Sequence, residues 1–298
     1  MTDHTHEIKI ITDIVLAEQV WRSLSPNDTI YDTWEFRYCF YKPFNYPLSF
    51  RAVYVQDEPV ALLPLQLNTD ANYLEFFGGT HMENNQIFLK PDCEKYIAEL
   101  YATIQGAVKM EWTLGNDPYT TSLPVQDYDY FLRLDQFQTF EQFLKESPNS
   151  ELKRKWKKIT TDNEIQILVN QFEDIDLLFE WNIQKFKEES TFLMPFRQDI
   201  YREAVRLELL KPLLFTFVVN GKKQAVSLAY TYNNTYMSMN YGIHPECEVR
   251  NLSAFIILHQ IKSAIEQKNR YIDVLTCDCG WKESWGFSKI AQYEFISN

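Results

Sequence analysis

The sequence predicts an α/β protein built from two similar halves, each a mixed, largely antiparallel sheet flanked by helices. Both halves show the order strand, helix, helix, three strands, helix, strand. Matching elements lie roughly 160 residues apart throughout, which is typical of tandem domains. A chain of 298 residues that is 45% hydrophobic and 23% charged is long and apolar enough for two globular cores. We therefore predict domains at residues 1–134 and 135–298.

The first half begins with a strand that alternates apolar and polar residues, Glu7–Ile11. Asp13 is a predicted N-cap for a helix that carries Leu16, Val20 and Leu24 on one face. The other predicted elements are a helix from Asp32 to Pro43, strands over 49–56 and 60–67, a strand over 73–77, a short strand over 86–89, a helix over 94–107 and a strand over 109–114.

The second half repeats this order around Asn220-Gly221, the strongest hairpin signal in the chain. Its predicted elements are a strand over 165–169, helices over 174–186 and 198–210, hairpin strands over 213–219 and 224–232, a strand over 235–241, a helix over 252–267 and a strand over 271–275. A strand over 128–134, a helix over 136–145 and a basic helix over 151–158 join the two halves. The basic helix is either a solvated face or a patch for a phosphate-bearing ligand.

Charge and composition argue against several kinds of binding partner. A net charge of -12 argues against a surface that follows a phosphate backbone along its whole length. No segment reaches the roughly 20 apolar residues that span a bilayer, and the polar start of the chain lacks the layout of a signal peptide. Cys277 and Cys279 have no second cysteine pair that would complete a zinc site, so we expect reduced thiols in a cytoplasmic protein without a bound metal.

Polar side chains follow the last predicted strand, 271–275. Asp273, Asp278 and Lys282 lie at or just after its carboxyl end, where ligands bind in α/β folds. These residues are candidates for proton transfer and charge stabilisation. The alternative is that Asp273 caps the local backbone and Lys282 is a solvated cation.

A second candidate site is the start of the predicted helix over 252–267, which follows the strand that contains Tyr241. Backbone N–H groups at a helix N-terminus lack intrahelical partners and attract anions, so this end suits a pyrophosphate. Arg250 would add a charge-assisted contact, and Asn251 or Ser253 would cap the helix. The alternative is an ordinary capped helix.

Several short motifs, in this order along the chain, resemble one protein family. They are Asp32-Thr33-Trp34, Pro64-Leu65, Phe76-Phe77-Gly78-Gly79, the basic segment with Lys153, Arg154, Lys157 and Lys158, and the closing Asp273, Asp278, Lys282 and Trp285-Gly286. Together they resemble the FemAB/CelD-like branch of the GNAT acyltransferase superfamily, which has tandem GNAT-like domains. Two departures are Leu275 and Cys277, which stand where the closing motif usually has glycines. The pyrophosphate loop of the superfamily is also reduced here to a segment without glycine.

The resemblance implies a site in the second half for acetyl-CoA or another acyl-CoA as co-substrate. The implied cofactor-binding residues are Tyr241, Gly242, Ile243, Arg250, Asn251, Leu252, Ser253 and Ala254. The implied catalytic residues are Asp273, Asp278, Lys282 and Tyr241. Asp273 or Asp278 would take the proton of the amine, Lys282 would offset negative charge, and Tyr241 would protonate the leaving thiol or simply pack. His244, Glu188 and Glu189 are weaker candidates for the base.

The resemblance therefore implies an N-acyltransferase that uses a small-molecule or peptide amine as acceptor. One alternative is a Fem-type peptidyltransferase that uses aminoacyl-tRNA, although the acidic charge is unfavourable for an RNA partner. Another is a non-catalytic binding module on the same fold, which the missing glycines favour. The sequence does not predict the oligomeric state.

Overall fold

The computed structural model describes residues 5–115, 118–277 and 279–297. In chain order the elements are β1 His6–Ile11, α1 Ile14–Leu24, α2 Trp34–Tyr41, β2 Leu48–Val55, β3 Glu58–Asn68, β4 Tyr73–Phe76, β5 Phe88–Leu89, α3 Ile97–Ala102, β6 Val108–Leu114, β7 Val125–Arg133, α4 Phe140–Glu146, α5 Glu151–Asp162, β8 Ile165–Val169, α6 Ile175–Phe186, α7 Pro195–Ala204, β9 Leu213–Val219, β10 Lys222–Tyr232, β11 Thr235–Ile243, α8 Leu252–Glu266, β12 Tyr271–Asp273 and β13 Ser288–Ser297. They form two compact units, one of Met1–Tyr128 with Ile290–Asn298 and one of Asp129–Lys289.

The first unit is built on a sheet in the order β1-β2-β3-β4-β6-β13, with β5 added beside β3. All neighbours are antiparallel except β4 and β6. One face of α1 buries Ala17, Val20, Trp21 and Leu24, because residues spaced three and four apart share a side of a helix. These side chains pack with Phe50 and other aromatic residues into a core.

The second unit is built on a sheet in the order β7-β12-β11-β10-β9-β8. Its neighbours are also antiparallel with one exception, the parallel pair β11 and β12. The long helix α8 connects these two parallel strands, as a crossover connection must. Nine of its residues are buried, and helices α4 and α5 pack against it.

The two sheets repeat one topology, so the prediction of an α/β fold with mixed sheets is confirmed. Four antiparallel strands come first, and a helix then leads to a strand that lies parallel to the fourth. The sixth strand of each sheet comes from elsewhere in the sequence. Strand β13, at the C-terminal end, completes the first sheet, and β7, which follows β6 in the chain, completes the second. The sequence did not predict β13, and the two compact units are not two uninterrupted halves.

Most predicted elements occur close to their expected bounds. The helix expected over 198–210 begins earlier, at Pro195, and ends at Ala204, because proline suits the first turn of a helix. The strand expected over 271–275 ends at Asp273. Its backbone turns away there, since Leu275 adopts a left-handed conformation with φ 62°.

Candidate functional site

Parallel strands β11 and β12 pair over only three residues each. The register joins Thr235 to Tyr271 and Met237 to Asp273, and β12 then ends while β11 continues to Ile243. The carboxyl end of β11 therefore leaves its parallel neighbour, and its next segment leads to the start of α8. Carboxyl ends of parallel strands and helix N-termini are favoured positions for anionic ligands in α/β folds.

Asn251 is the residue that precedes the first turn of α8. This residue has φ 64° and ψ 19°, the left-handed conformation that glycine and asparagine adopt most readily, and its side chain makes no capping hydrogen bond. The backbone turn that a glycine would provide is therefore present without one. Arg250 and Asn251 are exposed, and Ser253 and Ala254 are half-buried. Leu252 is buried and anchors the first turn in the core.

His259, the histidine of α8, adds no positive charge to the helix. His259 lies against the rings of Phe215 and Phe217, at 4.9 Å and 5.4 Å between centroids. Burial lowers the pKa of His259 to about 4, so its imidazole is neutral at pH 7. Attraction for an anion at the start of α8 therefore comes from the backbone N–H groups and from Arg250.

Tyr241 lies near the carboxyl end of β11 and is half-buried. Lys185, on α6, donates from Nζ to the Tyr241 hydroxyl at 3.3 Å, and the same Nζ is 4.6 Å from the centre of the ring. The Tyr241 carbonyl accepts a hydrogen bond of 2.9 Å from Asn182 Nδ2. Sequence reasoning missed Lys185 and Asn182, because only the packing of α6 on β11 brings them to a residue almost 60 positions away.

Gly242, on β11, lies close against α6. A Cβ at this position would be 2.6 Å from the Leu178 carbonyl oxygen and 3.0 Å from Trp181 Cβ. Its neighbour Ile243 is half-buried and pairs with Ala225 across β10. The glycine predicted to approach a cofactor therefore contacts a helix of its own unit on this side.

Gly242→Ala is expected to destabilise the second unit by about 2 kcal/mol, since an added methyl group in a packed contact forces the helix and strand apart. Urea denaturation measures this change. The control Gly221→Ala meets no atom within 4 Å and carries only the cost of φ 77°, about 1 kcal/mol. Equal losses in the two variants would contradict the close packing of α6 on Gly242.

Asp273 and Lys282 both bind the backbone at the start of the loop that follows β12. Asp273 is buried, and its Oδ1 accepts a hydrogen bond of 2.7 Å from the backbone N–H of Leu275. Lys282 is 3% exposed and donates from Nζ to the carbonyl oxygens of Leu275 and Thr276, at 2.7 Å and 2.6 Å. The same ammonium group lies 4.7 Å from the centre of the Tyr130 ring.

The alternative that Lys282 is a solvated cation is therefore wrong. The alternative that Asp273 caps the local backbone agrees with its hydrogen bond from Leu275. Leu275 and Cys277 both have left-handed backbone, with φ 62° and 76°. These are the two positions where the resembling motif usually has glycine, so the loop keeps a glycine-like path with side chains attached. Asp278, the other predicted acid, lies outside the described residues.

The weaker candidates lie apart from these groups. Glu188 and Glu189 are exposed in a short 3-10 turn after α6. His244 follows β11, packs 5.3 Å from the Trp181 ring and accepts a hydrogen bond from the backbone N–H of Glu246. Neither arrangement forms an acid–base pair with Tyr241 among the contacts found.

The basic helix α5 has the buried stripe and the solvated cationic face that one of the two sequence-based hypotheses expected. Leu152 and Ile159 are buried, and Trp156 stacks on Phe255 of α8 with 4.7 Å between ring centroids. The cationic side chains of Lys153, Arg154, Lys157 and Lys158 are exposed, and Arg154 forms an ion pair with Glu151. The helix is thus amphipathic, with a cationic outer face.

Two further classes of site are absent from the part of the chain that the structure describes. No group of three or more His, Cys, Asp or Glu side chains is arranged there to hold a metal ion. None of the helices in the same part of the chain has both the length and the apolar character needed to cross a bilayer.

Comparisons with known proteins agree with this architecture. Residues 148–283 match the family model described as an acetyltransferase (GNAT) domain. A search of curated protein sequences finds no significant match. Among solved structures, L-PGS from Bacillus licheniformis is similar with a TM-score of 0.61 and 12% identity, over 97% of this chain and 93% of that chain.

Two more solved structures cover nearly the whole chain. FemX is similar with a TM-score of 0.60 and 9% identity, over 98% of both chains. A tandem GNAT protein from the clavulanic acid biosynthesis pathway has a TM-score of 0.53 and 10% identity, over 99% of both. The predicted resemblance is therefore confirmed at the level of the fold. The chain has a GNAT/FemX-like fold, and the segment that matches the acetyltransferase (GNAT) domain model lies in its second unit.

Proposed function

We propose that the chain is an N-acyltransferase that moves an acyl group from an acyl-CoA to an amine acceptor. The observation that carries the proposal is the start of α8, which has no side-chain cap and follows in the chain after β11 has continued beyond its pairing with β12. Free N–H groups and the helix dipole favour a diphosphate there. Tyr241, Gly242 and Ile243 would lie along the donor, and Arg250 with residues 251–254 would hold its pyrophosphate.

The reaction requires a base for the amine, stabilisation of an oxyanion and an acid for the leaving thiolate. In the proposed mechanism the amine nitrogen attacks the thioester carbonyl, and Asp278 or Asp273 accepts the proton that the amine loses. The tetrahedral intermediate then expels the thiolate, to which the Tyr241 hydroxyl donates a proton. The ammonium of Lys185, 3.3 Å from that hydroxyl, stabilises the oxygen as it loses its proton. Lys282 fixes the loop that carries Asp278.

A substitution at the start of α8 tests the donor site directly. Ser253→Glu places a carboxylate in the first turn, where it interacts favourably with the helix dipole and raises stability by about 0.3–1 kcal/mol. The same carboxylate repels a pyrophosphate, so we expect the affinity for acetyl-CoA to fall by more than about tenfold, or 1.4 kcal/mol. Opposite changes in stability and affinity are measured by thermal melting and calorimetric titration.

Lys262→Ala is the matched control, because it changes the net charge by the same amount about two and a half turns further along α8. Its affinity for acetyl-CoA is expected to equal that of the unchanged protein. If Ser253→Glu binds acetyl-CoA as tightly as the control, the start of α8 is not the pyrophosphate site. If the unchanged protein shows no stabilisation by any CoA ester at saturating concentration, the donor is not a CoA ester.

Aminoacyl-tRNA is the second candidate donor, favoured by the likeness to FemX and by the cationic outer face of α5. The net charge of -12 is unfavourable for RNA, so this partner would have to bind through a local patch. Binding of charged tRNA with a steep salt dependence, lost when Lys157 and Lys158 are replaced by glutamine, would support it. A non-catalytic binding module remains the third reading if neither donor binds.

A further inference from the structure

Two cysteines in the loop after β12 have their sulfur atoms close together. Cys277 Sγ and Cys279 Sγ are 3.7 Å apart, and both side chains are exposed. The two residues are separated by one position in the sequence, and nothing assigns them a role in the proposed acyl transfer. Their separation is larger than the ~2.05 Å of a disulfide bond but small enough to close by side-chain rotation with a local backbone adjustment.

The other cysteines are much less suited to oxidation. Cys39 is buried, and Cys93 and Cys247 are half-buried. Burial raises the pKa of the Cys93 and Cys247 thiols, which lowers the fraction of reactive thiolate at neutral pH. Selective oxidation therefore falls on the exposed pair.

The loop that carries this pair has strained backbone and is held by the buried Lys282. Cys277 holds left-handed backbone with φ 76°, and the carbonyls of Leu275 and Thr276 just before it accept the two hydrogen bonds from Lys282. A covalent bond between the two sulfur atoms fixes the backbone at Cys277. It therefore acts on the carbonyl of Thr276, on the contact with Lys282 and on the path of the loop.

We propose that Cys277 and Cys279 form a reversible intramolecular disulfide, a modification site that reports the redox state of the surroundings to the loop after β12. The oxidant is a low-molecular-weight disulfide such as oxidised glutathione. One cysteine thiolate attacks it and releases one glutathione thiolate, which leaves a mixed disulfide on the protein. The second cysteine thiolate then attacks the protein sulfur of that mixed disulfide and releases the second glutathione. Two protein thiols lose two protons and two electrons, and one oxidised glutathione becomes two reduced molecules.

A disulfide across three consecutive residues is exposed and closes a small strained ring. Such bonds are more easily reduced than structural disulfides, so the site is expected to open again with excess reduced glutathione. This property suits a switch and not a structural crosslink. The effect of the switch on acyl transfer rests on the proposed function, whereas the formation of the bond does not.

The test incubates the full chain in buffers with different ratios of oxidised and reduced glutathione, followed by acid quenching, alkylation and mass spectrometry. The unchanged protein is expected to lose two hydrogen atoms, with Cys277 and Cys279 both protected from alkylation and both recovered after reduction. Cys277→Ser and Cys279→Ser are each expected to retain one glutathione, because the second thiol is missing. Cys247→Ser is the matched control and is expected to behave as the unchanged protein.

Accumulation of glutathione on the unchanged protein without loss of the two hydrogens would overturn the proposal, as would a disulfide that includes Cys39, Cys93 or Cys247. A second measurement compares turnover of the oxidised and reduced protein, with an expected loss of about tenfold or more because small displacements in a catalytic site are costly. Unchanged turnover would limit the disulfide to a modification without control of the reaction. Failure of every CoA ester to bind would remove the proposed function and leave the mass-spectrometric result standing.

Discussion

Lys282→Met is expected to lower the free energy of unfolding of the second unit by about 4 kcal/mol, because it removes two charge-assisted hydrogen bonds and leaves two carbonyl oxygens without their donor. The side chain is 3% exposed, and Nζ lies within 2.7 Å of both the Leu275 and Thr276 carbonyl oxygens. Methionine keeps the length and apolar packing of the stem but not the ammonium. Urea denaturation measures the loss.

Turnover of Lys282→Met is expected to fall as well, since the loop that carries Asp278 is no longer fixed. Rates should be measured well below the melting temperature of the variant, so that unfolding does not imitate a catalytic defect. Lys289→Met is the matched control. Lys289 is half-exposed and forms a surface ion pair with Glu283, which is worth less than about 1 kcal/mol. Equal stability of the two variants would contradict the buried position of the Lys282 ammonium.

Tyr241→Phe is expected to lower the turnover of acyl transfer about 10³-fold, within the range for loss of a positioned general acid. The variant lacks only the hydroxyl that accepts the hydrogen bond from Lys185. The bond from Asn182 goes to the backbone carbonyl of residue 241 and is retained, so stability and acetyl-CoA affinity are expected to stay unchanged. The reaction is followed by release of the free thiol of CoA.

Tyr271→Phe is the control for Tyr241→Phe, as Tyr271 is a half-buried tyrosine at the start of β12. It is expected to retain the full rate. The rate of Lys185→Met should lie between the rates of these two variants, because water can donate a hydrogen bond to the Tyr241 hydroxyl in place of Lys185 but carries no charge. Full activity of Tyr241→Phe would show that this side chain packs and does not transfer a proton.

The sequence determined the class of fold because its signals are local. Hydrophobic alternation, the spacing of Leu16, Val20 and Leu24, and the Asn220-Gly221 turn each fix the conformation of neighbouring residues. A repeated order of elements then implied a repeated topology, and the two sheets have the same strand order. The sequence also predicts where α8 begins, because the helical pattern over 252–267 follows the strand that contains Tyr241.

The roles of individual side chains needed more than local signals. A glycine after a strand is equally consistent with cofactor binding and with close packing, and the atoms that face Gly242 belong to α6. The sequence lacks a glycine before α8, yet Asn251 adopts the left-handed backbone that a glycine there would provide. A lysine after a strand is usually solvated, but Lys282 is buried by carbonyl oxygens that only the folded loop brings together.

The sequence by itself determined the helices, the strands other than β13 and the duplicated topology of this protein, because these depend on residues close together in the chain. Only the tertiary structure decided which strand completes each sheet, since β7 and β13 pair with partners far away in sequence. It alone also decided that Lys185 meets Tyr241. Such contacts depend on the packing of whole elements, and no local pattern of residues encodes them.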